Sequence, residues 1–122
     1  MKVLLGIGGS DDSLDALQRT IDRALEAGDD LTVAIVDNPE SGRSFEEIEA
    51  EARAAMEEAD LDAEIRHLEG DPGSELVRLT EEGDFDQVVI GGGQVSPMGK
   101  VRLGPIAEFV LLNSHVTVTL VR

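Results

Sequence analysis

Short, nearly continuous apolar runs alternate along the chain with longer stretches in which apolar residues recur every three or four positions. Runs of the first kind are typical of strands buried on both faces, and spacing of the second kind is typical of helices with one buried side. The runs predict five strands, at Lys2–Ile7, Leu31–Val36, Asp62–Leu68, Asp86–Ile90 and His115–Val121. The third is the most polar of them, which favours a place at the edge of the sheet.

Four helices are predicted between these strands, and each begins at a polar or proline-containing start signal. The starts are Asp11 or Asp12, the capping box Ser44-x-x-Glu47, the pair Asp71-Pro72 and the pair Gly104-Pro105. Strict alternation of strands and helices predicts a single three-layer α/β/α domain over residues 1–122, built on a five-stranded parallel sheet. Right-handed crossovers favour the strand order 3-2-1-4-5.

In this order the connections reverse direction between the first and fourth strands. Ligands of such sheets bind outside the carboxyl ends of the strands that flank the reversal. Those ends read Ile7-Gly8-Gly9-Ser10 and Ile90-Gly91-Gly92-Gly93. We therefore expect two glycine turns to meet in one pocket, whose walls are backbone amides rather than reactive side chains.

The composition excludes several classes of function. The 122 residues carry a formal net charge of -16, so the basic surface needed to bind duplex nucleic acid or an anionic membrane is missing. There is no Cys, and His67 and His115 are the only histidines, which argues against disulfides and against a metal site built on thiolate or imidazole. The apolar N-terminal run is too short for a signal peptide or a membrane span, so we expect a cytoplasmic protein.

The acidity itself is informative, because the chain also has the apolar periodicity of a folded protein. Only Lys2 and Lys100 are lysines, and the other bases are arginine. Surface carboxylates in such excess are typical of proteins that stay soluble in high salt, as in halophilic organisms. The alternative is a surface that faces a partner with affinity for acids.

Motifs for catalysis and phosphate binding match only in part. The segment Gly6–Asp11 begins like a dinucleotide fingerprint but has an acid at the third glycine position, where it would repel a pyrophosphate. The segment Gly93–Lys100 resembles a Walker A loop, but its glycines are one residue too far apart and Val101 replaces the Mg²⁺-binding hydroxyl. Ser10 and Ser13 lack a nucleophile elbow and a His partner. We therefore predict no catalytic residues.

The segment from Gly91 to Ile106 is the best candidate for binding chemistry. Three glycines follow a buried strand, and Lys100 and Arg102 bring two of the 10 bases of the chain within three residues. Backbone N–H groups in glycine turns and at helix starts bind anions, and the two bases would add charge-assisted hydrogen bonds to a phosphate. The alternative is a connector that needs glycine for its turns and whose bases pair with surface acids.

Several stretches of the chain match, in order, the motifs of one known family. They are Lys2–Ser10 with Ser13, Gly70-Asp71-Pro72, Asp86–Gly91, Gly104 with Glu108 and Val110-Leu111, and His115–Val118. On these stretches the chain resembles the universal stress protein (UspA-like) family over its whole length. The resemblance implies a flavodoxin-like, adenine-nucleotide-hydrolase-like fold and a role in the stress response.

ATP-binding members of that family carry G-x2-G-x9-G-[ST] in the last loop, where backbone groups and a hydroxyl hold phosphates. Gly91 and Gly104 match the first and last glycines, whereas Gln94 stands at the second glycine and Pro105 at the hydroxyl residue. Pro105 offers neither an N–H donor nor a hydroxyl. Gly8 stands where the family usually has the Asp that meets the nucleoside. The resemblance therefore implies a degenerate nucleotide or anion site.

The candidate binding residues form one set at the carboxyl edge of the predicted sheet. They are Gly8, Gly9, Ile35, Gly91, Gln94, Lys100, Arg102, Gly104, Pro105 and Ile106, among which the resemblance implies that Ile35 flanks the base. The favoured hypothesis is a non-catalytic regulatory module with no certain cofactor. The alternative is a switch that binds ATP or another adenine nucleotide, with slow hydrolysis. A third hypothesis is an unrelated enzyme on the same scaffold.

Family members usually dimerise through the last strand, and the sequence permits this. The run Val116–Val121 has no Pro and no internal charge, so its edge would be open to pairing with a second chain. We therefore expect a homodimer, with no nucleic-acid or membrane partner and with a small anion or nucleotide as the ligand.

Overall fold

The computed structural model describes residues 1–9, 11–37, 42–91, 94–95, 101–102 and 104–121. The strands are β1 (Lys2–Ile7), β2 (Asp30–Val36), β3 (Glu64–Leu68), β4 (Gln87–Gly91), β5 (Gln94–Val95), β6 (Val101–Arg102) and β7 (Thr117–Val121). The helices are α1 (Asp11–Ala27), α2 (Phe45–Glu58), α3 (Pro72–Glu82) and α4 (Pro105–Asn113). Each long strand except the last is followed by a helix, as the alternating pattern predicts.

Five strands form one parallel sheet in the order β3-β2-β1-β4-β7. This confirms the predicted order 3-2-1-4-5, with β7 as the fifth strand and β3 at the opposite edge. The central strand β1 pairs with β2 on one side and with β4 on the other. The point where the connections reverse direction therefore lies between β1 and β4.

Two apolar clusters pack on the two faces of the sheet, and they confirm the three-layer architecture. On one face Leu5 of β1 packs with residues of α1 and α2, including Ile21 and Ile48. On the other face Leu4 packs with residues of α3 and α4, including Leu76. Successive residues of β1 point to opposite faces, so a strand buried on both sides reads as a continuous apolar run.

Two glycines allow the helices on the second face to approach closely. A Cβ atom on Gly6 would lie 2.9 Å from the Cδ1 atom of Leu76, so the missing side chain lets α3 lie against β1. A Cβ atom on Gly73 would lie 2.8 Å from the Cδ1 atom of Phe109. The missing side chain at Gly73 thus lets α4 pack against the first turn of α3.

The predicted helix starts are confirmed at α2 and α3. The Ser44 hydroxyl accepts a hydrogen bond from the backbone N–H of Glu47 at 3.2 Å, and the Asp71 carboxylate accepts one from the N–H of Ser74 at 3.0 Å. Each cap satisfies a donor that has no partner within its helix.

One part of the predicted connector is wrong. After the three glycines that follow the fourth strand, the sequence predicts a loop up to Leu103, but β5 and β6 pair in an antiparallel hairpin, with Gln94 opposite Arg102 and Val95 opposite Val101. Strands of two residues are too short to produce an alternating pattern, so the sequence carries no signal for them. Other boundaries differ by one or two residues: β2 begins at Asp30 rather than Leu31, β3 at Glu64 rather than Asp62, and β7 at Thr117 rather than His115, and β4 covers Gln87–Gly91 rather than Asp86–Ile90.

Candidate functional site

The first glycine turn and the end of β4 lie at the same edge of the sheet. β1 and β4 are parallel neighbours whose last pair is Gly6 and Ile90, so Gly8 lies two residues and Gly91 one residue beyond that pair. Gly8 and Gly9 are buried, and Gly9 has a φ of 84°, a left-handed conformation that glycine adopts without strain. The turn between β1 and α1 is therefore closed tightly over the end of the sheet.

A cation lies against this turn. The Nη1 atom of Arg43 donates a hydrogen bond to the carbonyl oxygen of Gly9 at 2.9 Å and lies 3.6 Å from the Oε2 atom of Glu51. Arg43 is half-buried, and it precedes the N-cap of α2. The contact ties the segment after β2 to the segment after β1, and it places a guanidinium at the edge where both strands end.

The sequence does not predict Arg43 as a site residue. Arg43 and Gly9 are 34 residues apart, and no local pattern links them. One signal was present, since β2 is a neighbour of β1 and both strands end at the same edge. A base shortly after β2 was therefore a candidate for that edge on topology alone.

Ile35 lies opposite Ile7 at the end of β2, beside the glycine turn. Its side chain is 0% exposed and packs in the core between the sheet and the first two helices. A ligand at this edge would therefore meet the backbone at the end of β2 rather than the Ile35 side chain.

The start of α4 lies at the same edge, because α4 follows β4 and leads back to the parallel strand β7. Gly104 is the N-cap and provides no side-chain hydrogen bond, and Pro105 occupies the first turn. Ile106 is half-buried. First-turn N–H groups have no acceptor within a helix, so those of Ile106 and Ala107 are available to an anion, whereas Pro105 has none.

The remaining predicted residues belong to the connector between β4 and α4. Gln94 and Arg102 face each other across the β5–β6 hairpin, and Gly91 is half-buried at the end of β4. Lys100 lies outside the described residues. The structure therefore brings Gly8, Gly9 and Gly91 to one edge together with the start of α4.

Among the residues that the structure describes, this edge offers hydrogen-bond donors and the guanidinium of Arg43, which suits an anionic or nucleotide ligand. In the described ranges, no three His, Asp or Glu side chains come together in a way that could hold a metal ion. None of the helices in those ranges is both long enough and apolar enough to cross a bilayer.

The fold and this edge define a doubly wound α/β domain whose connections reverse direction between β1 and β4, the place where ligands of such folds bind. Within that class, the model of the universal stress protein family matches residues 1–122, and the chain belongs to this family.

Two curated relatives place the chain among stress proteins. The stress response protein NhaX of Bacillus subtilis is 30% identical over 77 residues, which cover 63% of this chain and 46% of that protein. A universal stress protein of Methanocaldococcus jannaschii is 28% identical over 138 residues, which cover 99% of this chain and 81% of that protein. The chain thus matches less than half of the first relative and most of the second.

Solved structures of family members superpose over the whole chain. A universal stress protein from Archaeoglobus fulgidus has a TM-score of 0.81 at 21% identity, covering 100% of this chain and 98% of that one. A universal stress protein in complex with cAMP has a TM-score of 0.78 at 26% identity, covering 100% of this chain and 96% of that one. The first comparison establishes the shared fold, and the second shows a family member that holds an adenine nucleotide.

Proposed function

We propose that this chain is a non-catalytic regulatory protein of the stress response that binds an adenine nucleotide in the crevice at the carboxyl edge of the sheet. The observation that carries the proposal is the meeting of three features at that edge: the buried Gly8-Gly9 turn, the guanidinium of Arg43 and the start of α4. The family member that holds cAMP supports the choice of ligand, since it shares the fold and 26% of the sequence.

The phosphate side of the crevice favours a nucleotide with a single phosphate group. Pro105 contributes no N–H at the first position of α4, so this helix start has fewer donors than one that begins with Ser or Thr. Arg43 supplies one cation, already shared with Glu51 at 3.6 Å. We therefore expect AMP or cAMP to bind at least as tightly as ATP with Mg²⁺.

Isothermal titration calorimetry in high salt tests this proposal with AMP, cAMP and ATP plus Mg²⁺. Arg43→Gln should lower the affinity for AMP and cAMP by about tenfold, the scale of one lost hydrogen bond to a charged group. Arg66→Gln is the matched control, because Arg66 is exposed on β3 and the variant changes the net charge equally. The double variant Gln94→Gly/Pro105→Ser restores the family motif and should strengthen ATP binding by about tenfold.

Three results would contradict the proposal. Wild-type protein that binds none of the three nucleotides would exclude an adenine nucleotide from the crevice. If ATP binds much more tightly than AMP, the result would favour the alternative, an ATP-dependent switch. Release of phosphate on prolonged incubation with ATP would show that this switch also hydrolyses ATP slowly. An unchanged ATP affinity in the double variant would show that positions 94 and 105 do not take part in phosphate binding.

The proposal also covers the setting in which the protein works. We propose one domain over residues 1–122, a cytoplasmic location in a halophilic organism, and a homodimer formed through β7. The charge of -16 supports the high-salt setting. The position of β7 at the edge of the sheet supports pairing with a second copy.

A further inference from the structure

A cavity lies between α1 and the part of the sheet formed by β1, β4 and β7, away from the glycine turns. It has a volume of about 100 Å³, and its walls are mainly apolar, with Val3, Ala24, Val89 and Val121 among the lining residues. The cavity forms because β7 extends the sheet beyond β4, which lies under α1, so Val121 is only partly buried against the core on this face.

Buried polar groups also line this cavity. Thr20 is 6% exposed, and its side chain lines the cavity. Gln87 is 7% exposed, and its Nε2 atom donates a hydrogen bond to the Thr119 hydroxyl.

Two guanidinium groups and the carboxylate of Asp29 line the cavity, so the bases outnumber the acids there although the chain has a net charge of -16. Arg19 and Arg23 are one helical turn apart on α1, and both line the cavity. The Nε atom of Arg23 lies 3.9 Å from the Oδ2 atom of Asp29, whose other contact is the terminal amino group at 3.6 Å. Arg19 is exposed and forms no ion pair within the described part of the chain.

The two arginines differ in their distance from the carboxylate of Asp29. α1 runs antiparallel to the strands, so Arg19 lies about one turn, or 5.4 Å, closer to the carboxyl edge than Arg23. Asp29 precedes β2 and lies at the opposite, amino edge. A ligand with a negative charge is therefore favoured at the end of the cavity near Arg19, away from the Asp29 carboxylate.

We propose that this cavity binds a short-chain aliphatic carboxylate, with its carboxylate at the Arg19 guanidinium and the Thr20 hydroxyl. Its hydrocarbon part would lie against the valine side chains of the lining. A cavity of about 150 Å³ holds benzene, so one of this size admits a chain of about four carbon atoms and excludes a nucleotide. The site is separate from the nucleotide crevice and does not depend on the proposed function.

Titration of the full chain with sodium butyrate at constant high ionic strength tests this proposal, with 1-butanol as the uncharged probe of equal length. Calorimetry or amide chemical shifts should show saturable binding of butyrate and binding of butanol that is weaker by about tenfold, the scale set by a charge-assisted hydrogen bond. Arg19→Gln should weaken butyrate by about the same factor. Arg66→Gln, which changes the net charge equally but lies on β3, should leave the affinity within about twofold, because Arg66 is remote from the cavity.

Thr20→Val adds a variant that is expected to fold, since it replaces the hydroxyl with a methyl group of similar size. It should weaken the binding of butyrate severalfold, because it removes the hydroxyl that would bond to the butyrate carboxylate. Four results would overturn the proposal: no saturable butyrate binding, equal affinity for butanol, equal weakening by Arg19→Gln and Arg66→Gln, or binding abolished when the protein dimerises. The last result would assign the cavity to the interface between two copies.

Discussion

Asp71 shows how one residue connects the sequence to the fold. It caps α3, with its carboxylate bonded to Ser74, and Pro72 follows it in the first turn. Hydrogen bonds from the Ser74 hydroxyl and from the Ser74 backbone N–H hold the pKa of Asp71 below its usual value of 3.8. The charged form is thus the form that stabilises the helix start, where the helix dipole also favours a negative charge.

Asp71→Asn keeps a capping oxygen and removes the charge, so its effect on stability should depend on pH. Because the pKa of Asp71 is lowered on folding, its charge stabilises the folded state above pH 3.8, and this contribution is lost as the pH falls through the folded-state pKa. Urea unfolding should show wild type more stable than Asp71→Asn near neutral pH, with the difference disappearing in the acid range.

Ser74→Ala serves as the control for this prediction. It removes the hydroxyl donor but leaves the backbone N–H donor. The pH at which the stabilising contribution of Asp71 is lost should therefore shift only part of the way toward the usual pKa of 3.8. A difference between wild type and Asp71→Asn that stays constant from neutral pH to strong acid would show that the charge of Asp71 plays no part.

The residues of the candidate site differ in how far the sequence alone could locate them. Gly8 and Gly9 follow an apolar run directly, and glycine at that place has a local meaning that needs no knowledge of the rest of the chain. Arg43 reaches Gly9 across 34 residues, and that contact depends on the path of the chain after β2. Local patterns therefore predict the turns of the crevice but not the side chain that meets them.

At the scale of elements, the helices and the long strands were predictable because each buries a long enough apolar pattern. The β5–β6 hairpin was not, since it is held by pairing between two-residue strands. β7 is an intermediate case, because the sequence predicts the strand and the topology places it at the edge. Its residues are half-buried apart from Thr117, which is exposed, so the strand has an open side.

Thr117→Lys tests whether that open side pairs with a second copy. A lysine on an edge strand opposes strand pairing between chains, so the variant should be monomeric where the wild type is dimeric. Sedimentation equilibrium in high salt measures this. Asn113→Lys is the matched control, because Asn113 is exposed at the end of α4 and the variant adds the same charge outside the strand. A wild type that sediments as a monomer, or equal effects of both variants, would contradict pairing through β7.

At the scale of the whole molecule, charge is the dominant feature. The net charge of -16 is spread over a small domain, so repulsion between carboxylates opposes folding wherever it is not screened. α2 shows the problem locally, since it ends with Glu57 and Glu58 and has no base in its last turn. Acids at that end are unfavourable to the helix dipole as well as to each other.

We expect the folded state to require salt. At about 0.01 M salt the screening length is about 30 Å, which exceeds the spacing of surface charges, whereas at 1 M it is about 3 Å. The free energy of unfolding should therefore rise steeply with NaCl, and dialysis into dilute buffer should remove the folded far-ultraviolet circular dichroism signal.

Glu57→Gln/Glu58→Gln should lower the salt concentration at the midpoint of folding, because it removes two charges from an unfavourable place. Gln18→Glu on the exposed side of α1 adds a carboxylate near Asp22 and should raise that midpoint. A protein that stays folded in dilute buffer, or variants that shift the midpoint in the same direction, would contradict an electrostatic origin for the salt requirement.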